Sequence, residues 1–319
     1  MNTPQRLLTL LALLLLPVAA APRAAAQEAG PDTLKIIATV PTYGALAREI
    51  GGSHVEVTVL CRPGQDMHNV TPLPSLVERL RDAELLLFTG LDAELWLDPM
   101  LRASANIALL PGSPRAIMMS NGIPLRQIPT QADRSQGDMH AFGNPHVWTD
   151  PLALRTLAAH VKDALVAALP QHAAEIAERH ERVHREITAA CISWLTRYKG
   201  LQGQKVVVYH QSWTYLTGRF GLVETNAIEP KPRVPPTAGH LAQVIEQMQR
   251  DGTRVILREP WQAPEPADRV AEQVGATVVD LSTHPDPAEG LADVLAHYEL
   301  MLARLAQALG VPVEPATVR

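Results

Sequence analysis

Residues 177–187 read "AERHERVHREI", and two readings of this run lead to different proteins. His180, Glu181 and His184 spell H-E-x-x-H, in which two imidazoles one helical turn apart hold zinc and the glutamate acts as base. The same letters fit an amphipathic helix with one wet face. Ala173, Ile176, Ala177, Val183, Ile187, Cys191, Trp194 and Tyr198 recur at three- and four-residue steps and form one apolar stripe. At about 100° per residue His180 falls within that stripe, and His184 lies about 40° away. A zinc hydrolase also needs a third protein ligand and an open position for water. Ile187 and Ala190 stand where the extended motif would place Gly and His. The run therefore reads as part of a long structural helix, from about Pro170 to Lys199, and a secreted zinc hydrolase becomes the lesser alternative.

Outward from this helix the pattern is similar on both sides. Before it come the strand-like runs "LKIIATV" (34–40), "VEVTVL" (55–60) and "ELLLFTG" (84–90), separated by helical segments. After it come "KVVVYH" (205–210), "RVILREP" (254–260) and "TVVDLS" (277–282), again separated by helices, with a closing helix through "LADVLAHYELMLARLAQAL". Strand and helix in alternation predict open α/β sheets. The expected organisation is a signal peptide over 1–26, an α/β lobe over 27–169, a rigid linking helix over 170–200 and a second α/β lobe over 201–319. The stretch 120–145 lacks periodicity and reads as a functional loop. Asp150 and Pro151 read as N-cap and first residue of the helix that follows.

The first 26 residues place Arg6 before an apolar run, Leu7 to Leu16, and small residues before Gln27. That is the layout of a secretory signal, too short for a comfortable membrane span. No cysteine lies near the cleavage region, so the expectation is a soluble, exported protein without a lipid anchor. Cys61 and Cys191 do not make a disulfide framework; two buried thiols are the leading reading, and a Cys61–Cys191 bond is the lesser alternative. A formal net charge of −5 argues against nucleic acid as a partner.

Three other histidines share a context that the helical pair lacks. His68 lies just beyond the strand ending at Leu60, His210 closes the strand starting at Lys205, and His146 precedes a helix. Glu259 and Asp280 also sit where strands finish. Ligands of open α/β sheets bind outside the carboxyl ends of strands. Imidazoles and a carboxylate from two lobes would then meet in one inter-lobe cleft, a donor set suited to Zn(II).

At these residues the chain resembles the periplasmic solute-binding proteins of zinc and manganese ABC transporters (the cluster A-I metal-binding type, zinc uptake in particular). "PGQDMHNVTP" (63–72) is similar to the family's P-G-x-D-P-H-x-Y-E-P-T-P segment, with Met67 for proline. "NPHVWTDP" (144–151) is similar to D-P-H-x-W-L-D-P, with Asn144 for aspartate. "VVYHQSWTYLTGRFGL" (207–222) resembles its strand–His–helix segment. The lobe–helix–lobe layout agrees along essentially the whole chain after residue 26. The resemblance implies a binding protein rather than an enzyme, carrying Zn(II) as cargo, with Mn(II) the lesser candidate. It implies His68, His146 and His210 as metal ligands, and a histidine at 210 favours zinc. The fourth ligand is Asp280 by position in the family, with Glu259 in "REPW" as competitor because "VVDLSTHPDP" departs from the family's continuation. His140, in the loop before the second ligand, is a candidate auxiliary group. The implied partner is an ABC permease in the inner membrane, with room for a periplasmic metallochaperone, and the protein is expected to act as a monomer. Protons should compete with the metal as pH falls through the imidazole range, near about 6.5.

Overall fold

The computed structural model describes residues 33–129, 142–231 and 234–315. The predicted signal peptide and His140 lie outside the described residues. In the first lobe β1 (Leu34–Ala38), β2 (Val55–Val59), β3 (Leu85–Phe88) and β4 (Ala116–Met118) form one sheet in the order β2-β1-β3-β4. In the second, β5 (Lys205–Val208), β6 (Val223–Ala227), β7 (Val255–Arg258) and β8 (Thr277–Asp280) repeat that order as β6-β5-β7-β8. Every pairing is parallel. Parallel sheets need helices on both faces, which explains why β3 is "LLLF" and wholly buried rather than alternating.

The helices are α1 (Pro41–Gly51), α2 (Pro74–Asp82), α3 (Leu97–Ser104), α4 (Leu154–Ala168), α5 (Ala173–Arg197), α6 (Thr214–Phe220), α7 (Ala238–Asp251), α8 (Pro264–Val274) and α9 (Leu291–Ala308). The sequence reading passed over β4 and β6. β4 is three residues long with no fully buried position, and β6, "VETNA", carries two polar groups and an acid. Both are edge strands, which bury less and need less apolar sequence.

α5 is the linking spine, 25 residues long or about 37 Å at 1.5 Å per residue. It buries Ile176, His180, Val183, Ile187, Cys191 and Trp194 and packs against α4, α1 and α9. The closing helix α9 belongs by sequence to the second lobe, yet it crosses to the first. Its first residue donates its backbone N–H to Glu49 of α1, and Arg48 of α1 donates to the Ala288 carbonyl just before it. Further along α9, Glu299 accepts from Trp194 Nε1 and Arg197 Nη1, both at 2.7 Å, and from the Tyr198 hydroxyl at 2.5 Å. One apolar cluster consequently runs through both lobes and the spine, while a smaller one fills the outer face of the second sheet, under α7 and α8.

Asp150 does other work than the sequence reading assigned. α4 starts at Leu154, and Asp150 instead closes the preceding turn by accepting from the Leu152 N–H at 2.9 Å. Its carboxylate also binds Arg219 of α6 through both oxygens, at 2.8 and 2.7 Å, which ties the lobes together. Cys61 and Cys191 are free and buried, and burial pushes their thiols up to about 12 and about 11. Among the described residues no helix is long and apolar enough to cross a membrane.

Candidate metal centre

The carboxyl ends of both sheets face one cleft, and His68, His146 and His210 meet there. One ring nitrogen of each lies within 4.8 Å of the others. Ring centroids are separated by 5.1 Å (68 to 146), 5.5 Å (146 to 210) and 6.1 Å (68 to 210). His146 and His210 are buried, with 3% and 6% of their surface exposed. The lobes contribute by different positions. His68 sits in the loop after the outer strand β2, whereas His210 follows the central strand β5.

Each ring is held from behind. His68 Nδ1 lies 3.0 Å from the Ala93 carbonyl, in the loop after β3. His146 Nδ1 lies 3.0 Å from Asn144 Oδ1, and His210 Nδ1 lies 3.0 Å from Glu229 Oε2, just after β6. Asn144 is oriented because its amide donates to Gln127 Oε1 at 2.8 Å and to the Gln211 carbonyl at 2.6 Å. All three partners can only accept, so in each neutral ring Nδ1 carries the proton and Nε2 carries the lone pair. His68 Nε2 and His146 Nε2 then stand 3.2 Å apart with their lone pairs facing. Two such acceptors repel unless a cation or a proton lies between them. Anchoring the far nitrogen of a ring to a carbonyl or carboxylate is how proteins orient metal-binding imidazoles.

The two candidate carboxylates are engaged by other side chains. Asp280 is half exposed, and both its oxygens accept from Arg258, at 2.7 and 3.0 Å. Glu259 is buried, with 4% exposed, and accepts from Ser212 at 2.5 Å, Thr283 at 2.9 Å and Trp261 at 3.1 Å. Burial pushes its carboxyl up, opposed by those donors and by nearby His210. Among the described residues neither carboxylate joins the group whose ligand atoms lie within 4.8 Å of one another.

Sequence reasoning missed the anchors. Glu229 was hidden because β6 was not recognised, and Ala93 acts through its backbone. It also missed His284, which stacks on Trp148 at 4.9 Å and has neither ring nitrogen hydrogen-bonded. Burial lowers its pKa to about 3. His180 and His184 of the spine have ring centroids 6.0 Å apart, and among the described residues no third ligand group joins them.

Residues 36–310 match the family model described as "ZnuA: Zinc-uptake complex component A periplasmic". The chain belongs to this family. It is 24% identical over 253 residues to the high-affinity zinc uptake system protein ZnuA of Yersinia pestis, covering 74% of this chain and 79% of that protein. It is 23% identical over 277 residues to a putative metal-binding protein of Treponema pallidum, covering 85% of this chain and 84% of the other. A crystal structure of ZnuA superposes with a TM-score of 0.73 at 21% identity, covering 87% of this chain and all of that one. The solute-binding protein FpvC of P.aeruginosa, solved with Ni2+, reaches 0.70 at 19% identity over 86% of this chain and 97% of its own. These solved structures share the fold of this chain. The family is one of metal-binding transport components, and its description is periplasmic.

Proposed function

We propose that this protein captures Zn(II) in the periplasm with His68, His146 and His210 and delivers it to an ABC importer in the inner membrane. The observation that carries the reading is the set of three anchored imidazoles whose lone pairs turn inward on one small volume. Three neutral nitrogens suit zinc better than manganese, which prefers carboxylate and carbonyl oxygen. Glu259 is buried near His210, where Ser212, Thr283 and Trp261 donate to its carboxyl group. Asp280, held by Arg258, leaves the metal to the histidines. The ligands come from both lobes, so the cargo itself bridges the cleft. The Asp150–Arg219 pair and the α9 contacts keep lobe movement small, and delivery then depends on local loosening of a ring rather than on a wide hinge.

The test is metal analysis of protein stripped by a chelator and offered zinc and manganese together. The reading expects one tightly held equivalent of zinc, lost in His68→Ala and in His210→Ala. Preferential uptake of manganese, or zinc retained by both variants, overturns it.

A further inference from the structure

A second group of ligating side chains meets where the spine begins. His54 ends the short 3-10 turn Gly52–His54 between α1 and β2. His172 immediately precedes α5, and Glu175 lies in its first turn. One ligand atom of each lies within 4.8 Å of the other two. The His54 and His172 rings stack with centroids 3.8 Å apart and planes 19° from parallel. His54 Nε2 is 2.9 Å from Glu175 Oε2, and Arg179 Nη2 donates to Glu175 Oε1 at 2.6 Å.

We propose that His54, His172 and Glu175 form a second, peripheral site for a divalent cation of the Zn2+, Ni2+ or Cu2+ class. Two imidazole nitrogens and one carboxylate oxygen are the donors these ions prefer, whereas Mg2+ and Ca2+ seek oxygen cages. His172, at the N-cap of α5, and Glu175, in the helix's first turn, hold two ligands at one end of the spine. His54 arrives from the adjoining lobe. Arg179 fixes one oxygen of Glu175 and leaves Oε2 turned to the rings, as outer hydrogen bonds do for ligating carboxylates. Gly52 makes that possible. A Cβ there would lie 1.2 Å from Arg179 Nη1, and its backbone φ of +57° suits glycine.

Binding exchanges the proton between His54 Nε2 and Glu175 for the metal, and a tilt of either ring brings its in-plane lone pair to the ion. His54 and Glu175 keep 20% and 46% of their side-chain surface exposed, so solvent completes the coordination. The Arg179 charge and the positive start of α5 both oppose a cation, which makes this site weaker than the cleft. A metal here would clamp the first turn of the spine to the first lobe.

The probe is zinc chloride in a non-coordinating buffer, followed by calorimetry and by thermal melting. Protein lacking the cleft ligands (His68→Ala with His210→Ala) should still bind one equivalent and melt at a higher temperature when zinc is added. Adding His172→Ala or Glu175→Gln should abolish both effects. In the otherwise unaltered protein His172→Ala should remove the weaker of two binding events and spare the tighter. Absence of binding in the cleft-deficient protein overturns the proposal, and so does binding that survives both His172→Ala and Glu175→Gln. Failure of the cleft reading alone would leave one event, still dependent on His172.

Discussion

The cleft histidines form a close trio of imidazoles and the spine histidines a close pair, yet only the trio has the surroundings of the proposed metal centre. His180 and His184 share a helix face by virtue of their spacing, with ring centroids 6.0 Å apart. His180 packs towards α4, where burial lowers its pKa and the charges of Lys162 and Asp163 reach it, and its Nε2 has no hydrogen-bond partner. In the cleft every ring has an acceptor behind it and another ring in front. Helical spacing brings two rings together at no cost, but it does not fix tautomers. Fixed tautomers are what turn neighbouring imidazoles into a donor set.

His210→Ala should lower zinc affinity by more than a hundredfold, read by competition with a chromophoric chelator, because it removes one of three donors. Removing an anchor should cost less. Glu229→Gln leaves the His210 ring in place without its charged acceptor, and the expected loss is about 10- to 100-fold. An unchanged affinity in that variant would mean that the anchors are incidental.

Acid sharpens the contrast through stability instead of binding. Folded His284 stays neutral down to about pH 3, whereas in the unfolded chain it titrates near its ordinary value of 6.5. Between those values the unfolded state binds more protons, so stability falls as pH drops below 6.5. At pH 5 the difference is 1.5 units at 1.36 kcal/mol each, about 2 kcal/mol. Urea unfolding of the metal-free protein at pH 7.5 and 5.0 should show that His284→Phe reduces the pH dependence by about this amount. The smallest effect belongs to the spine. His184→Ala should leave zinc affinity unchanged within about twofold and alter stability by no more than about 0.5 kcal/mol, as for other partly exposed positions. A lost equivalent of zinc in that variant would return H-E-x-x-H to consideration.

The apolar strands and the spine were legible because their signals are local. "LLLF" and "VVV" are short apolar runs bounded by turn residues, as buried strands are, and the three- and four-residue steps from Ile176 to Trp194 trace one face of a helix. β4 and β6 were not legible, because β4 has only three residues and the polar Glu, Thr and Asn of "VETNA" break the apolar pattern of β6, and the Glu229 anchor went with them. Asn144, a departure from the family motif, turned out to keep the one property needed there. Its oxygen accepts from His146 while its amide reaches Gln211 across the cleft.

Sequence alone therefore determined the two-lobed α/β architecture, the linking helix, and the three histidines placed at strand ends and a helix start. These follow from periodicity and from motifs a few residues long. Only the tertiary structure decided which nitrogen of each ring faces inward, that Asp280 is taken by Arg258 while Glu259 lies buried beside His210, and that α9 returns to the first lobe. Each of those depends on an acceptor or a partner that is distant along the chain, and such pairings are set by packing rather than by local pattern.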